Sequence, residues 1–353
     1  MNITISSQII NDYQDINNKK KILIMGEASS SFKAREILHP KSKEDALSLY
    51  GESELYDAYC LLLDLGVTKN IYTSNCYSES DYIRLVDKLI HYDFDYLVPI
   101  GIYLSDKFYN PIDDIDEYYA TYFLKQFSTV NSLTTILMTE RHASLYEDFD
   151  SYLKAMSDIE FDFTSSYNLE KNSFLESYGN NLNFIYNNLE DIPYGNIVLG
   201  ALYCLRNYSE YFSTLKNMST VFDIDNIDVK GLRGMFFKFN YYTNSISIEN
   251  AFNFKTTNDI YANALIDDVI KRTIREVDLS EYKGKMFNSY VSIQIKNDIN
   301  KKLGELKGKL FKKFNVQKVI FKKTEPTAGY IIAKYSIVPF GTLEELDIVM
   351  GVI

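Results

Sequence analysis

Short apolar runs alternate with amphipathic segments through the first half of the chain. The run Ile22–Gly26 predicts a buried strand that ends at a glycine. Ser42 with Asp45 three residues later is typical of a helix start, and Gly51 and Gly66 stand where two successive helices would end. The same pattern predicts strands at 70–73, 96–100 and 134–138 and helices at 43–65, 78–91, 115–127, 144–156, 173–189 and 196–206.

This alternation predicts a layered α/β domain. Two further strands are expected at 236–242 and 245–248, and a polar segment at 254–258 places a domain boundary near residue 252. The outer α/β domain is therefore assigned to residues 21–252. Residues 1–20 begin with alternating Ile3 and Ile5 and become polar, which indicates an extended arm or a frayed terminus.

The last hundred residues have a different pattern. Apolar residues recur at helical spacing in two segments, followed by strand-like runs at 316–321 and 330–338 and by an apolar, β-prone segment at 346–353. The two helical stripes are Ile260, Tyr261, Ala264, Leu265, Val269 and Ile274, and then Ile295, Ile299, Leu303 and Leu306. These elements predict an inner α+β domain at 253–340 and a C-terminal arm at 341–353.

Charge separates the same region from the rest of the chain. Residues 283–323 contain twelve lysines against Asp298 and Glu305, a balance of +10, so the remainder carries −21 of the overall −11. On a helix, the lysines would lie largely off the apolar stripe and form a basic ridge; they are Lys296, Lys302, Lys307 and Lys309. Such a ridge is either a solvated face or a surface for an acidic partner or nucleic acid.

Composition limits the other possibilities. A chain of 353 residues with 46% hydrophobic content can bury two cores. Thirty tyrosines without tryptophan suit surfaces that become buried on assembly, and a compositional bias of the genome would give the same excess. Apolar runs are too short to cross a bilayer, so we expect no membrane insertion. Three widely spaced cysteines predict reduced thiols; they are Cys60, Cys76 and Cys204.

No residue pattern predicts catalysis. Gly304 with Gly308 and Lys309 is one residue short of a phosphate loop, and leucine replaces the hydroxyl residue that would hold magnesium. The three histidines have no metal-ligand spacing; they are His39, His91 and His142. We therefore expect a protein that is not an enzyme, without cofactor or metal.

The order of features near the C-terminus resembles the contractile tail sheath proteins of phages and R-type bacteriocins. Short sheath proteins have an Asp-Leu step, a Gly-Lys pair with asparagine shortly after, a long helix, two strands and a closing hydrophobic strand. The matching features are Asp278-Leu279, Gly284-Lys285, Asn288, the helix from about Ser289, and residues 337–353. The first domain is similar too, with a helix that ends at Tyr50-Gly51.

The resemblance implies a structural protomer. Its partners would be further copies in a six-fold helical polymer, an inner tail tube protein, and baseplate and tail terminator proteins, with no nucleic acid. The sleeve would assemble extended around the tube and contract to drive the tube through a cell envelope. Such a protein is made in the bacterial cytoplasm and becomes part of a phage tail or bacteriocin particle.

The resemblance also assigns roles to particular residues. Tube contact is expected at Lys296, Lys301, Lys302, Lys307, Lys309, Lys312 and Lys313. Strand addition between subunits is expected at Ile3, Ile5, Ile348, Met350 and Val352, although pairing of the last segment within its own domain is an alternative. Pro339 and Gly341 are expected to act as a hinge.

A second hypothesis remains open from the residues alone. The chain would then be a cytosolic α/β binding protein or enzyme whose basic C-terminal module contacts nucleic acid.

Overall fold

A computed structural model describes residues 20–89, 92, 94–103, 106–109, 117–119, 134–152, 154–155, 182–205, 215–216, 218–221, 235–249, 277, 279–282, 286–308, 311–323 and 329–339. The described residues belong to two compact units, drawn from 1–258 and 259–353. The predicted arms at 1–20 and 341–353 lie outside the described residues apart from Lys20, and the predicted domain limits stay predictions.

The first unit is a mixed α/β fold, as expected. Its elements in chain order are β1 (Ile22–Gly26), β2 (Ile37–Leu38), α1 (Lys43–Tyr50), α2 (Glu54–Asp64), β3 (Ile71–Asn75), α3 (Glu79–Leu89), β4 (Tyr96–Pro99), β5 (Lys107–Tyr109), β6 (Glu117–Tyr119), β7 (Thr135–Thr139), β8 (Leu182–Ile185), α4 (Gly195–Leu205), β9 (Leu215–Lys216), β10 (Phe236–Asn240) and β11 (Ser245–Glu249).

The main sheet has the strand order β2-β3-β1-β4-β7-β8. All its pairs are parallel except β2 with β3. The central strand β1 is fully buried, as expected for a parallel sheet covered on both faces. Helix α4 packs closely on the sheet, because a Cβ on Gly200 would lie only 2.8 Å from Cδ1 of Ile22. The predicted strand at 22–26 is confirmed.

The predicted helix start at α1 is confirmed in detail, and α2 begins in the same way. The side chain of Ser42 accepts a hydrogen bond from the Asp45 N–H at 3.2 Å. Ser53 does the same for the Tyr56 N–H at 3.3 Å. Gly51 ends α1 with φ of 64°, a left-handed conformation that glycine adopts without strain.

Three helix predictions differ from the structure. Residues 117–119 lie within the predicted helix 115–127 but form β6, which pairs antiparallel with β5. Residues 182–185 lie within the predicted helix 173–189 but form β8, parallel to β7. In the predicted helix 144–156, residues 143–145 form a 3-10 turn, and helix appears at 149–152 and 154–155. In the first two segments, pairing with a neighbouring strand overrides the local pattern.

The second unit consists of a short 3-10 turn at Leu279–Tyr282, the helix α5 (Ser289–Leu306) and the strands β12 (Phe311–Lys323) and β13 (Gly329–Pro339). The strands form an antiparallel pair, and they are longer than the predicted 316–321 and 330–338. Helix α5 begins where the sequence predicted. The predicted helix over 260–274 lies outside the described residues.

Two irregularities account for the unequal lengths of β12 and β13. The register shifts between Phe311 and Lys313 and again between Val316 and Lys318, so β12 has one extra residue at each place. Val316 and Val319 are both buried although they are three residues apart. Strict alternation would turn one of them outward, and the extra residue between them returns both to the covered face.

The carboxyl ends of β1 and β4 meet where parallel sheets of this order commonly bind ligands. Here the side chain of Ile100 fills the space over Gly26, since a Cβ on Gly26 would lie 2.3 Å from Cγ1 of Ile100. Tyr82 closes the same edge, donating to the carbonyls of Met25 (3.3 Å) and Ile100 (2.9 Å). A ligand could reach the Gly26 backbone only by displacing Ile100.

We expect Gly26→Ala to lower the free energy of unfolding by about 1–3 kcal/mol, because the new methyl group overlaps the buried Ile100 side chain. The matched control is Gly304→Ala in α5. A Cβ there meets no described atom within 4 Å, so this change should stabilise by up to about 1 kcal/mol. Urea unfolding followed by circular dichroism measures both, and equal stability of the two variants would contradict the packing of Ile100 on Gly26.

Candidate interaction surface

Helix α5 begins and ends on well-defined capping groups. Oδ1 of Asn288 accepts from the Val291 N–H at 2.9 Å, which fixes the first turn. The last turn closes when the Lys307 N–H donates to the carbonyls of Leu303 and Gly304. Gly308 follows with φ of 82°, so it ends the helix in a left-handed conformation.

One face of α5 is buried against β12. The buried residues are Val291, Ile295, Ile299, Leu303 and Leu306. The stripe predicted from the sequence is therefore confirmed, with Val291 added at its start. The Ser292 hydroxyl donates to the carbonyl of Val319 at 3.0 Å, which fixes the helix on the strand beneath it.

A second hydrogen bond joins α5 to the preceding turn. The Tyr282 hydroxyl donates to Oδ2 of Asp298, and this bond raises the pKa of Tyr282 to about 12, with smaller contributions from desolvation and the nearby carboxylates. The neutral phenol is thus favoured in the folded state, while the free phenol ionises near pH 10.

The stabilisation from Tyr282 should depend on pH in a defined direction. Because the folded pKa is raised, the contribution is complete below about pH 10 and is lost as the pH rises towards 12. Urea unfolding of the native chain and of Tyr282→Phe at pH 8, 10 and 11.5 should show a difference that shrinks only above pH 10. A difference that is constant over this range would contradict the bond to Asp298.

The lysines do not form a single ridge on α5. Lys296 and Lys302 lie on opposite sides of the buried stripe, about 120° apart around the helix, and both are half-buried. Nζ of Lys302 is also 3.6 Å from Oε2 of Glu305, which makes an ion pair on the helix. Because the helix ends at Leu306, the prediction that Lys307 lies on it is wrong, since Lys307 is the C-cap. Lys309 is outside the described residues, so its predicted place stays a prediction.

Four of the predicted contact lysines are nevertheless exposed. They are Lys301, Lys307, Lys312 and Lys313. Lys312 and Lys313 are adjacent on β12, where strict alternation would direct one of them inward, and the first register shift lets both reach solvent.

The sequence interpretation missed an uncharged patch at the start of α5. Met286, Tyr290 and Ile293 are 88%, 66% and 56% exposed. Tyr290 and Ile293 share one face because they are three residues apart on the helix, and Met286 lies in the segment just before the N-cap Asn288. The signal was present as apolar residues out of phase with the buried stripe. These three residues are called the apolar patch below.

The remaining predicted site residues fall at or beyond the limits of the described structure. Pro339 is the last residue of β13 and lies opposite Phe311. Gly341 and all the predicted arm residues, Ile3, Ile5, Ile348, Met350 and Val352, lie outside the described residues. Within the described part of the second unit, β12 and β13 form a sheet of two strands, so each has an edge at which another strand could add.

The side chains of Cys76 and His142 have structural surroundings that account for them. Burial raises the pKa of the Cys76 thiol, which keeps it protonated. His142 caps the 3-10 turn by accepting from the Ser144 N–H at 3.1 Å. Among the described residues, no three His, Cys, Asp or Glu side chains cluster as metal ligands would. In that same part of the chain, no helix has the length and apolarity to cross a membrane.

Comparison with known proteins gives matches at the level of structure. No family model matches the sequence, and no curated protein does. The chain superposes on a sheath chain from an extracellular contractile injection system, PVC, in its contracted state, with a TM-score of 0.61, 12% identity, and coverage of 94% of this chain and 91% of the other.

Two further structures show the same similarity. A chain of the anti-feeding prophage (AFP) baseplate gives a TM-score of 0.61 at 10% identity, covering 95% of this chain and 93% of its own length. The sheath tail protein Lin1278 from Listeria innocua gives 0.53 at 8% identity, with coverage of 92% and 98%. The protein therefore has the fold of the contractile tail sheath proteins.

Proposed function

We propose that this chain is a structural protomer of a contractile tail sheath. It polymerises as a six-fold helical sleeve around an inner tube and contracts to drive the tube through a cell envelope. The observation that supports this most strongly is the similarity to the contracted PVC sheath over more than nine-tenths of both chains, across both compact units. The protein would belong to a phage-tail-like particle, with a baseplate and a tail terminator as further partners.

The second unit is the part proposed to face the tube. Helix α5, its C-cap and the strand β12 carry four exposed lysines, Lys301, Lys307, Lys312 and Lys313, and the start of α5 also presents the apolar patch. Lysines would orient the unit on an acidic tube, and the apolar side chains would supply the area removed from water. The half-buried Lys296 and Lys302 would contribute less, because each lies beside the buried stripe.

The links between subunits are proposed to be added strands. Among the described residues, β12 and β13 pair only with each other, and their outer edges suit this role because an added strand forms backbone hydrogen bonds that do not depend on particular side chains. Residues near Ile3 and Ile5, and the segment 348–353, are the proposed donors from neighbouring copies. Pro339 and Gly341 would let the chain change direction between β13 and the tail.

Contraction would then move neighbouring subunits relative to one another, while the packed core within each subunit stays unchanged. The closely packed sheet around β1 should move as a rigid body, because close-packed protein cores deform little. Structures of extended and contracted polymers would test this. Refolding within residues 22–205 between the two states is the result that would exclude the mechanism.

The direct test of the function is negative-stain microscopy of the purified chain over a range of concentrations. We expect hollow tubes or stacked rings. A chain that stays monomeric and instead binds duplex DNA, with an affinity that falls steeply with salt, would support the nucleic-acid hypothesis and exclude this one.

A further inference from the structure

The turn between β10 and β11 projects two tyrosines into solvent. Tyr241 is 66% exposed and Tyr242 is 100% exposed. Phe239 packs edge-on against Tyr241, with ring centroids 4.8 Å apart. Aromatic rings with one polar atom are side chains that interfaces favour, because they bury a large area at a small cost in conformational entropy.

Polar groups hold this turn in one conformation. Oδ1 of Asn240 accepts from the N–H groups of Tyr242 (3.0 Å) and Thr243 (3.2 Å). The hydroxyls of Thr243 and Ser245 are 2.7 Å apart. Asn244 has φ of 46°, a left-handed conformation that asparagine tolerates well. The backbone at Tyr242 is therefore held in one conformation, which lowers the entropy that a partner must overcome.

Two lysines lie on one face of the sheet behind this turn. The register places Lys216 opposite Ser245, and Lys238 opposite Ser247. Opposite residues share a face, and so do residues two apart along a strand, so both lysines lie on one face of the sheet, on the two strands that flank β11. Tyr241, Tyr242, Lys216 and Lys238 together are called the tyrosine turn.

The surrounding charge indicates what would bind there. Residues 1–258 carry a net charge of −15, so a basic, aromatic patch on this unit is complementary to the rest of the same unit on another copy. A suitable face lies on α1, where Glu44 and the 41% exposed Leu47 are three residues apart. The neighbouring Lys43 does not cancel this charge, since its Nζ is 2.6 Å from a carboxylate oxygen of Asp64.

We propose that the tyrosine turn of one copy docks on the Glu44–Leu47 face of α1 in a neighbouring copy. Because the two patches differ, each copy offers one of each, so the contact is head-to-tail and generates a ring or a helical array instead of a two-fold dimer. This contact is additional to strand addition by the arms. It rests on the proposed function, since it requires a polymer of this chain.

Light scattering and negative-stain microscopy measure the concentration at which the full chain begins to polymerise. The test compares this concentration between the native chain and its variants. Tyr241→Ser with Tyr242→Ser should raise that concentration on the order of tenfold, the effect of losing an interface hot spot. Tyr242 is fully exposed and Tyr241 loses its contact with Phe239, so the circular dichroism melting temperature should fall by no more than a few degrees. The control is Tyr77→Ser, which removes a 47% exposed tyrosine elsewhere and should have no effect on polymerisation.

A charge exchange tests the partner surface. The variant Glu44→Lys and the double variant Lys216→Glu with Lys238→Glu should each raise the concentration at which polymerisation begins. A chain that carries all three changes should polymerise at a lower concentration than either variant, because opposite charges face each other again. An unchanged threshold in the double tyrosine variant overturns the proposal, and so does an effect of the tyrosines without any effect of Glu44.

The remaining outcomes are also decisive. If the tyrosine variant polymerises normally but loses binding to heparin, the occupant is an anionic polymer and not a second copy. A native chain that stays monomeric at every concentration overturns both this contact and the proposed function, whereas normal polymers with an unaffected threshold overturn the contact alone.

Discussion

A chain shortened to residue 342 is expected to fold as the full chain does and to stay monomeric. Deletion of 343–353 removes the apolar segment proposed to pair with a neighbouring copy, but it leaves the described packing of both units intact. Sedimentation velocity should show loss of all large species, and circular dichroism melting should change by no more than a few degrees.

Two variants of full length separate backbone pairing from side-chain burial. Ile348→Pro with Met350→Pro removes backbone donors and should abolish polymers, because proline cannot donate to a ladder. The control, Ile348→Thr with Met350→Thr, keeps those donors and introduces threonine, a residue that strands favour, so it should retain most assembly. An unfolded shortened chain would mean that the segment pairs within its own unit. Polymers of the shortened chain would place the link elsewhere.

Reversal of four exposed lysines should weaken binding to the tube while self-assembly persists. The change is Lys301, Lys307, Lys312 and Lys313 to glutamate, which replaces four positive charges on the proposed contact surface by four negative ones. We expect a loss of affinity of roughly tenfold or more at low salt, and a smaller difference at moderate salt because surface charges are screened. Co-sedimentation with purified tube protein measures it.

The matched control reverses four exposed lysines of the first unit, Lys41, Lys69, Lys88 and Lys154, so the change in net charge is the same. This control should bind the tube nearly as the native chain does. Equal losses in both variants would show that net charge, and not the surface around α5, governs binding. If neither variant loses affinity for the tube, the lysines form a solvated face and not a contact surface.

Elements whose signals are local could be predicted from the sequence. Ser42 bonds to an N–H three residues ahead, so the start of α1 was visible in the spacing of a few residues, whereas the start near Ser289 followed from the order of features in the resemblance. The stripe from Ile295 to Leu306 was equally visible, because a helix with one buried face leaves a 3.6-residue period.

Elements that depend on distant partners were less visible. Glu117–Tyr119 follows several acidic residues, which is typical of a helix start, yet it pairs with β5. Leu182–Ile185 completes the edge of the parallel sheet only because β7 lies beside it. The extra residues in β12 break the alternation that marks a strand, so only the core of that strand could be predicted.

The candidate surface was predicted in part. The lysine content indicated a basic region, but not that Lys296 and Lys302 would lie half-buried on opposite sides of the helix. The apolar patch was missed because an exposed Ile293 close to the buried Ile295 is indistinguishable from core by composition alone. The phase of each residue around the helix decides the difference.

The pairing of β12 with β13 determines how this unit responds to mechanical force. Phe311 and Pro339 are opposite each other, so the connection to α5 and the exit towards residue 340 leave from the same end of the hairpin. Tension between them would open the pairs one after another, beginning beside the register shift after Phe311, where the ladder is already interrupted. A strand added along the edge and pulled lengthwise would instead strain all its bonds at once. Such a link between subunits should therefore withstand a larger force than the hairpin opened from its end.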